Sequence, residues 1–169
     1  PTPDKDNITN AYAAAYVDPA TDDLIIYFGA DRFANNGAAD MGFWFFQNDI
    51  TLNDPEGSGS GFVNVHEPGD VLVLATFTRG CEVSSVYVYE WVVSGGDTSD
   101  HLNLLVEGGE CDGTGQLACA LSNSNEADDQ AEAASPWPFE PKFGVTDFFP
   151  KNSLFEGGIN VTNLFNGNT

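Results

Sequence analysis

The chain has 169 residues, of which 26 are acidic and 5 basic, so its formal net charge at pH 7 is -21. This charge repels phosphate backbones and anionic lipid surfaces, which excludes nucleic acid and membrane surfaces as partners. The hydrophobic share of 41% suffices for the core of one domain and excludes a wholly disordered chain. No apolar run reaches the ~20 residues of a membrane span.

The domain organisation is predicted to be simple. The chain begins at Pro1 without an initiator Met, which is typical of a processed or excised module. Residues 1–6 are predicted to be a linker or N-terminal arm, and residues 7–169 a single domain. No internal repeat is present, so a solenoid or propeller is not expected.

Short apolar segments rich in β-branched and aromatic residues recur along the chain, separated by turns of Gly, Asn, Asp and Pro. The predicted strands cover residues 24–28, 43–46, 71–77, 83–93, 102–106, 117–121 and 159–165. Their spacing of about ten residues, with no helical pattern between them, is typical of all-β folds. We predict an antiparallel β-sandwich of jelly-roll or lectin-like form.

Alternation along the strands predicts which side chains form the core. In residues 83–93, Tyr87, Tyr89 and Trp91 share one face, and we assign this face to the core. Residues 43–46 are apolar on both faces, as expected of a central strand covered on both sides. The alternative for this segment is a surface aromatic platform for a sugar. The core interpretation is favoured because exposed Trp and Phe are uncommon.

Two segments are predicted to be loops. Residues 53–61 are rich in Gly and Ser, and residues 123–141 form a longer acidic loop whose Ala/Glu centre is compatible with one or two helical turns. A long loop in a compact domain is often functional. We therefore predict that Trp137 and Phe139, beside the acids of this loop, contact a ligand, because an aromatic face with polar neighbours suits a sugar.

Cys111 and Cys119 flank a Gly-containing turn that would let two adjacent segments meet. We predict a disulfide between them, with two reduced core thiols as the alternative. Cys81 is then left as a buried thiol, an intermolecular bridge, or the partner of a residue outside this sequence. No CxxC pair exists, which excludes a zinc ribbon.

Catalysis has little support in the sequence. His66 and His101 are the only histidines, and no GxSxG nucleophile elbow is present. The Pro-Gly that follows His66 marks a turn, so we expect this histidine to anchor the turn before the strand that starts at Val71. Paired carboxylates exist in any chain this acidic, so they do not specify a glycosidase.

Calcium is the predicted cofactor, because Asp, Glu and Asn are abundant in the turns and their oxygens are its preferred ligands. No segment completes an EF-hand loop, so a site has to be assembled from several loops. The candidate ligands, which we expect to converge on a calcium site or a structural network, are Asp31, Asp40, Glu156 and Asn160. Arg32 is expected to be buried or half-buried and held by Asp40 or Glu156. The alternative is that each side chain caps its own turn.

Eight motifs occur in an order that resembles one family. They are NITNAYA at 7–13, GADRF at 29–33, GFWF at 42–45, HxxGD at 66–70, YEW at 89–91, CAxxN at 119–123, WPF at 137–139 and FEGGxNVT at 155–162. Together they resemble a β-rich module of large secreted bacterial surface proteins, where it typically precedes Ig-like or similar repeat domains. The resemblance covers nearly the whole chain.

The resemblance implies an extracellular, cell-surface location but brings no activity with it. Such modules commonly continue past the Asn160 motif with another Cys-containing strand, which implies that the partner of Cys81 lies beyond Thr169. Cys81 stands where the family pattern has a second Gly, so the resemblance assigns it no role.

These observations predict a non-catalytic extracellular module that binds a glycan or another surface ligand and is stabilised by calcium. A structural subunit of an extracellular filament or surface layer, packed on copies of itself, is the first alternative. A glycan-acting enzyme is the second. The acidic charge itself is explained by a salty habitat or by bound cations.

Overall fold

The computed structural model describes residues 3–53, 61–77, 83–113, 115–123 and 133–166. These residues form a 3-10 turn, Asp4–Asp6, then twelve strands and one short helix. The strands are β1 (Ile8–Val17), β2 (Leu24–Arg32), β3 (Ala39–Phe45), β4 (Thr51–Leu52), β5 (Phe62–Val63), β6 (Val71–Phe77), β7 (Val83–Trp91), β8 (Leu102–Glu110), β9 (Ala118–Ser122), β10 (Ala133–Ala134), β11 (Phe148–Phe149) and β12 (Leu154–Asn160), and helix α1 is Val161–Asn166.

The eight long strands form one curled sheet in the order β1-β2-β12-β9-β8-β7-β6-β3. All neighbouring pairs are antiparallel except β8 and β9. The short strands form two separate pairs, β4 with β5 and β10 with β11. The predicted all-β fold is therefore confirmed, while the jelly-roll or lectin-like form stays a prediction.

The core lies between the two halves of the curled sheet. From one half, Phe28 and Phe155 point inward, and both are almost fully buried. From the other half, the Phe43 ring approaches Phe28 with 4.8 Å between ring centroids and stacks on Phe155 at 5.9 Å. Strands far apart in the sequence thus meet through aromatic contacts, which provide much of the apolar burial.

The core face of β7 is the opposite of the predicted one. Val86 and Val88 are fully buried, whereas Tyr87, Tyr89 and Trp91 are half-buried on the outer face. A valine side chain can be fully buried without leaving a polar atom unsatisfied, whereas each tyrosine hydroxyl needs a polar partner or water. The prediction that the Tyr/Trp face forms the core was wrong.

Strand β3 is the last strand of the sheet and not a central one, because it pairs only with β6 among the described strands. Phe43 and Phe45 point inward and contact Phe28. Trp44 lies on the outer face, half-buried against His66. The apolar run is therefore divided between a core face and an outer aromatic surface.

The C-terminal segment combines a strand and a helix where a strand over 159–165 was predicted. Strand β12 ends at Asn160, and the side-chain oxygen of Asn160 accepts a hydrogen bond from the backbone N–H of Asn163 at 3.0 Å. This is the usual N-cap interaction of asparagine, and it starts helix α1 at Val161. The capping interaction outweighs the strand-like composition of the segment.

Strand β1 was not among the predicted strands. Its sequence contains four alanines, which are depleted in strands, and almost all of its residues are exposed. Residues 3–6 of the predicted N-terminal arm belong to the fold, because the Lys5 ammonium donates to the Ala38 carbonyl and its own carbonyl accepts from Arg32.

The predicted disulfide is confirmed. Cys111 and Cys119 are bonded, with 4.9 Å between their Cα atoms. The bond closes the connection between β8 and β9, whose parallel pairing aligns Gly109 with Cys119. Parallel neighbours usually need a crossover of about a dozen residues or more, so this short connection is an unusual constraint that the disulfide secures. A disulfide is consistent with a non-cytoplasmic protein.

We expect the double substitution Cys111→Ser and Cys119→Ser to lower the free energy of unfolding by about 2.5 kcal/mol, because the unfolded chain regains the entropy of the open loop. Urea unfolding of the two proteins, followed by circular dichroism, measures the difference. An unchanged midpoint would mean that the β8–β9 connection is held by its backbone contacts alone.

Candidate functional site

The outer face of β3, β6 and β7 carries a row of large apolar side chains. Trp44 of β3 is opposite Leu72 of β6, which is opposite Tyr89 of β7. All three are half-buried and lie on the face that points away from the core. Opposite side chains on one face of a sheet have Cβ atoms about 5 Å apart, so they form a continuous surface.

A cleft of about 470 Å³ lies beside this row, where the connection after β5 folds over the strand ends. Its walls are aromatic and aliphatic, and four of the lining side chains carry hydrogen-bonding groups: one amide, one imidazole and two indoles. The lining residues are Trp44, Phe46, Ile50, Phe62, Asn64, Val65, His66 and Trp91. Largely apolar clefts with a few polar groups are the usual form of small-ligand sites.

The His66 ring lies among the aromatic walls. Its centroid is 4.4 Å from that of Trp44 and 5.4 Å from that of Phe46, and it stacks on Trp91 at 5.6 Å with 21° between the planes. Trp44 and Phe46 are themselves parallel within 7°. Aromatic packing on several sides therefore limits the orientations that the imidazole can adopt.

Asp70 fixes the orientation of the His66 ring. Its carboxylate is 1% exposed and lies 3.1 Å from the Nδ1 atom of His66. The same carboxylate accepts hydrogen bonds from the backbone N–H groups of Gln47 at 2.9 Å and Glu67 at 3.1 Å. Burial opposes ionisation of Asp70, but these hydrogen bonds and His66 together lower its pKa below the usual value.

His66 therefore anchors the turn before β6, as expected from the sequence. A hydrogen bond at Nδ1 orients the ring and leaves Nε2 on its other side. The arrangement can present one imidazole nitrogen between aromatic faces, which is a means of hydrogen bonding a ligand that stacks on the rings. The turn that contains His66 thus leads the chain into β6 and also forms one wall of the cleft.

A second cluster surrounds Asp31, which is fully buried on the outer face of β2. Its carboxylate accepts three hydrogen bonds, from the backbone N–H of Asn10 at 2.9 Å, the side-chain amide of Asn10 at 2.7 Å and the indole N–H of Trp137 at 2.7 Å. Asp31 thereby fastens β1 and the segment that contains Trp137 to the sheet. The carboxylate oxygens of Asp31 are therefore engaged in hydrogen bonds within the protein.

Glu156 lies on the same face as Asp31, on the neighbouring strand β12. Its carboxylate accepts a hydrogen bond from the Tyr12 hydroxyl. The Tyr12 ring reaches it by crossing over Gly29, where the Cβ atom of any other residue would collide with the ring. Burial, and then the hydrogen bond to Glu156, raise the pKa of Tyr12 well above its usual range. The phenol therefore stays protonated and bridges β1 to β12.

Trp137 and Phe139, the predicted ligand contacts, belong to the aromatic cluster that covers this face. Phe139 is 2% exposed and packs on Phe149 at 5.1 Å. Trp137 is half-buried between Tyr12 and Phe149, each 5.6 Å away. Phe139 presents no surface to a ligand in this arrangement, and Trp137 anchors the chain to Asp31. The acidic part of the same loop, residues 124–132, lies outside the described residues.

The other two predicted metal ligands lie apart from Asp31 and Glu156. Asp40 is exposed on β3, and Asn160 caps α1 while its amide donates to Asp23 at 2.8 Å. The expected convergence of the four side chains is not observed. Within the described ranges, no group of three or more His, Cys, Asp or Glu side chains is arranged to hold a metal ion. Calcium binding stays a prediction.

Arg32 is buried, but not against the carboxylates expected from the sequence. Its Nε donates to the Lys5 carbonyl at 3.0 Å, and its guanidinium lies 5.0 Å from the centroid of the Phe77 ring. Among the described residues neither Asp40 nor Glu156 forms an ion pair with it. Backbone carbonyls and an aromatic face replace the expected carboxylate, and Arg32 secures the N-terminal turn.

The cleft residues were missed as a site because each was explained separately in the sequence. Trp91 was assigned to the core, Trp44 to a central strand and His66 to a turn. The available signal was the alternation that places Trp44 and Phe46 on one face and Phe43 and Phe45 on the other. A face that carries both Trp and Tyr beside a His-containing turn is the pattern to seek.

Two further findings bear on what the chain is. The described residues contain no helix long and apolar enough to cross a membrane. No protein-family model, curated protein or solved structure matches the chain.

Proposed function

We propose that this chain is a non-catalytic extracellular module of a surface protein, and that it binds a glycan in the cleft between Trp44, His66 and Trp91. The observation that carries the proposal is the cleft itself, in which aromatic rings and one oriented imidazole face the same space. Sugar rings offer apolar C–H faces for stacking and hydroxyls for hydrogen bonding, and this cleft has a counterpart for both.

The charge of the chain narrows the class of glycan. With a formal net charge of -21, the protein repels sulfated and uronic-acid polysaccharides. Among the described residues, the lining of the cleft also includes no Lys or Arg side chain to pair with an anionic sugar. A neutral oligosaccharide is therefore the proposed ligand class.

Two observations support a location outside the cell. The Cys111–Cys119 disulfide is of a kind that persists in oxidising compartments. The strongly acidic composition favours solubility in saline surroundings. Calcium is part of the proposal only as a stabiliser of the fold. If the thermal melting curves in calcium and in EDTA are identical, calcium has no such role.

Trp44→Ala and Trp91→Ala are each expected to weaken binding of a neutral oligosaccharide at least tenfold, because each substitution removes one stacking wall. The ligand is first selected on an array of neutral and acidic glycans, and its affinity is then measured by isothermal titration calorimetry. Both side chains lie on the outer face, so the substitutions leave the core aromatic contacts of Phe28 and Phe43 in place.

Phe143→Ala is the matched control, because Phe143 is an exposed aromatic side chain outside the cleft. It is expected to bind as the unmodified protein does. The proposal fails if no neutral glycan binds, or if the control loses as much affinity as the two tryptophan variants.

A structural subunit of an extracellular assembly is the second candidate function. It is favoured by one specific observation, the exposed edge of β1, which is argued next.

A further inference from the structure

Strand β1 forms one edge of the sheet and has little cover on either face. Of its ten residues, eight are exposed, including Tyr16 and Val17 at 59% each. Among the described strands only β2 pairs with it. The backbone N–H and C=O groups that point away from β2 therefore form a row along an edge about 34 Å long.

This edge lacks the features that usually prevent strands from pairing. Natural edge strands carry charged side chains, proline or interrupting bulges. The chain has 26 acidic residues, yet the ten residues of β1 contain no charge and no proline. Its single register shift lies between Ile8 and Ala11, so the strand is regular from Ala11 to Val17. An uncharged regular edge on a chain with a net charge of -21 needs a specific explanation.

The sequence of the regular part is symmetric. Residues 12–16 read Tyr-Ala-Ala-Ala-Tyr, with Ala14 at the centre, and Ala14 is also the middle residue of the regular stretch from Ala11 to Val17. Two identical strands paired antiparallel about a two-fold axis at Ala14 bring Tyr12 of each copy opposite Tyr16 of the other. The three alanines at the centre let the backbones approach without steric conflict.

We propose that β1 pairs edge to edge with β1 of a second copy of this chain, about a two-fold axis that passes through Ala14. The pairing joins the two curled sheets into one continuous sheet, and it is isologous, as expected for a dimer of identical chains. The register places the three small alanines of each copy at the centre of the contact, while the Tyr12 ring stays over Gly29 in its hydrogen bond to Glu156 and does not obstruct the edge. The second copy is the occupant because the strand is complementary to itself.

Charge explains why this surface suits two acidic molecules. Two copies with a net charge of -21 repel each other, and an uncharged strand keeps carboxylates away from the contact. Screening of the remaining repulsion by salt should strengthen the dimer, since the Debye length falls from about 10 Å at 0.1 M to about 3 Å at 1 M. Association is therefore expected to increase with salt.

Sedimentation velocity at protein concentrations up to about 1 mM, the weak end of the affinity scale, tests the proposal. The unmodified protein is expected to dimerise, with tighter association in 1 M than in 0.1 M NaCl. Ala14→Lys places two like charges opposite each other and is expected to weaken the dimer at least tenfold. Val93→Lys, which makes the same charge change at a residue that is 66% exposed outside β1, should leave the dimer intact.

Cross-linking then tests the register, in a background that carries Cys81→Ser. Opposite Cα atoms in an antiparallel pair are about 4.5 to 5.5 Å apart, within disulfide range, so Ala14→Cys is expected to form a covalent dimer on mild oxidation. Val17→Cys lies three residues from the axis, so its partner is about 20 Å away and no cross-link should form. The proposal is overturned by a protein that stays monomeric, by a dimer that Ala14→Lys leaves unchanged, or by equal cross-linking at both positions.

Discussion

Asp31→Ala is expected to lower the free energy of unfolding by about 3 to 5 kcal/mol, because the substitution leaves three hydrogen-bond donors without an acceptor in a buried site. The donors are the backbone N–H and side-chain amide of Asn10 and the indole N–H of Trp137. Each unsatisfied buried donor costs about 1 to 3 kcal/mol, partly offset where water enters. The total free energy of unfolding of most small domains is only about 5 to 15 kcal/mol.

Chemical denaturation followed by circular dichroism measures this loss, and tryptophan emission reports the release of Trp137 from Asp31. Asp40→Ala is the matched control, because Asp40 is an exposed aspartate on a strand of the same sheet. Its expected effect is within about 0.5 kcal/mol. Equal losses for the two variants would contradict the role assigned to Asp31, as would an unchanged stability of Asp31→Ala.

Gly108→Ala is expected to cost about 3 kcal/mol or more, or to prevent folding. A Cβ atom at Gly108 would lie 2.3 Å from the backbone oxygen of Ala118, and real Cβ atoms do not approach that closely. Ala118 is paired with Ile159 of β12, and the next residue, Cys119, is held by the disulfide. The carbonyl therefore cannot move aside without disturbing two neighbouring strands.

Gly109→Ala provides the control within the same strand. A Cβ atom at Gly109 would meet nothing within 4 Å, so alanine is expected to be neutral or to stabilise by about 0.5 kcal/mol through the unfolded state. Thermal melting of both variants gives the comparison. If Gly109→Ala were as damaging as Gly108→Ala, general strand weakening rather than the contact with Ala118 would be the cause.

Local patterns in the sequence predicted several parts of the fold correctly. The strand over residues 71–77 has the predicted bounds, because a short run of Val and Leu after a Pro-Gly turn has few other stable conformations. The Cys111–Cys119 disulfide was predictable because only a short turn separates the two residues. In both cases the decisive residues lie within ten positions of each other, so the local sequence contained the information that was needed.

Two of the errors, the core face of β7 and the role of Asp31, occur where distant segments decide the outcome. Alternation in β7 correctly separated Tyr87 and Tyr89 from Val86 and Val88, but it carries no information on which face is covered. The same limit applied to Asp31, whose partners Asn10 and Trp137 are 21 and 106 positions away. A buried carboxylate in a hydrogen-bond network and an exposed metal ligand have the same sequence signature.

The acidic, aromatic and strand-rich sequence by itself determined the all-β class, the disulfide and the turn anchored by His66. The tertiary structure alone decided that Trp44 and Trp91 line one cleft, that Asp31 holds β1 in place and that β1 is an uncharged edge. The physical reason is that strand formation and short loop closure depend on neighbouring residues, whereas the burial of a face depends on which strands pack against it. The functional surfaces of this chain arise from that second kind of contact.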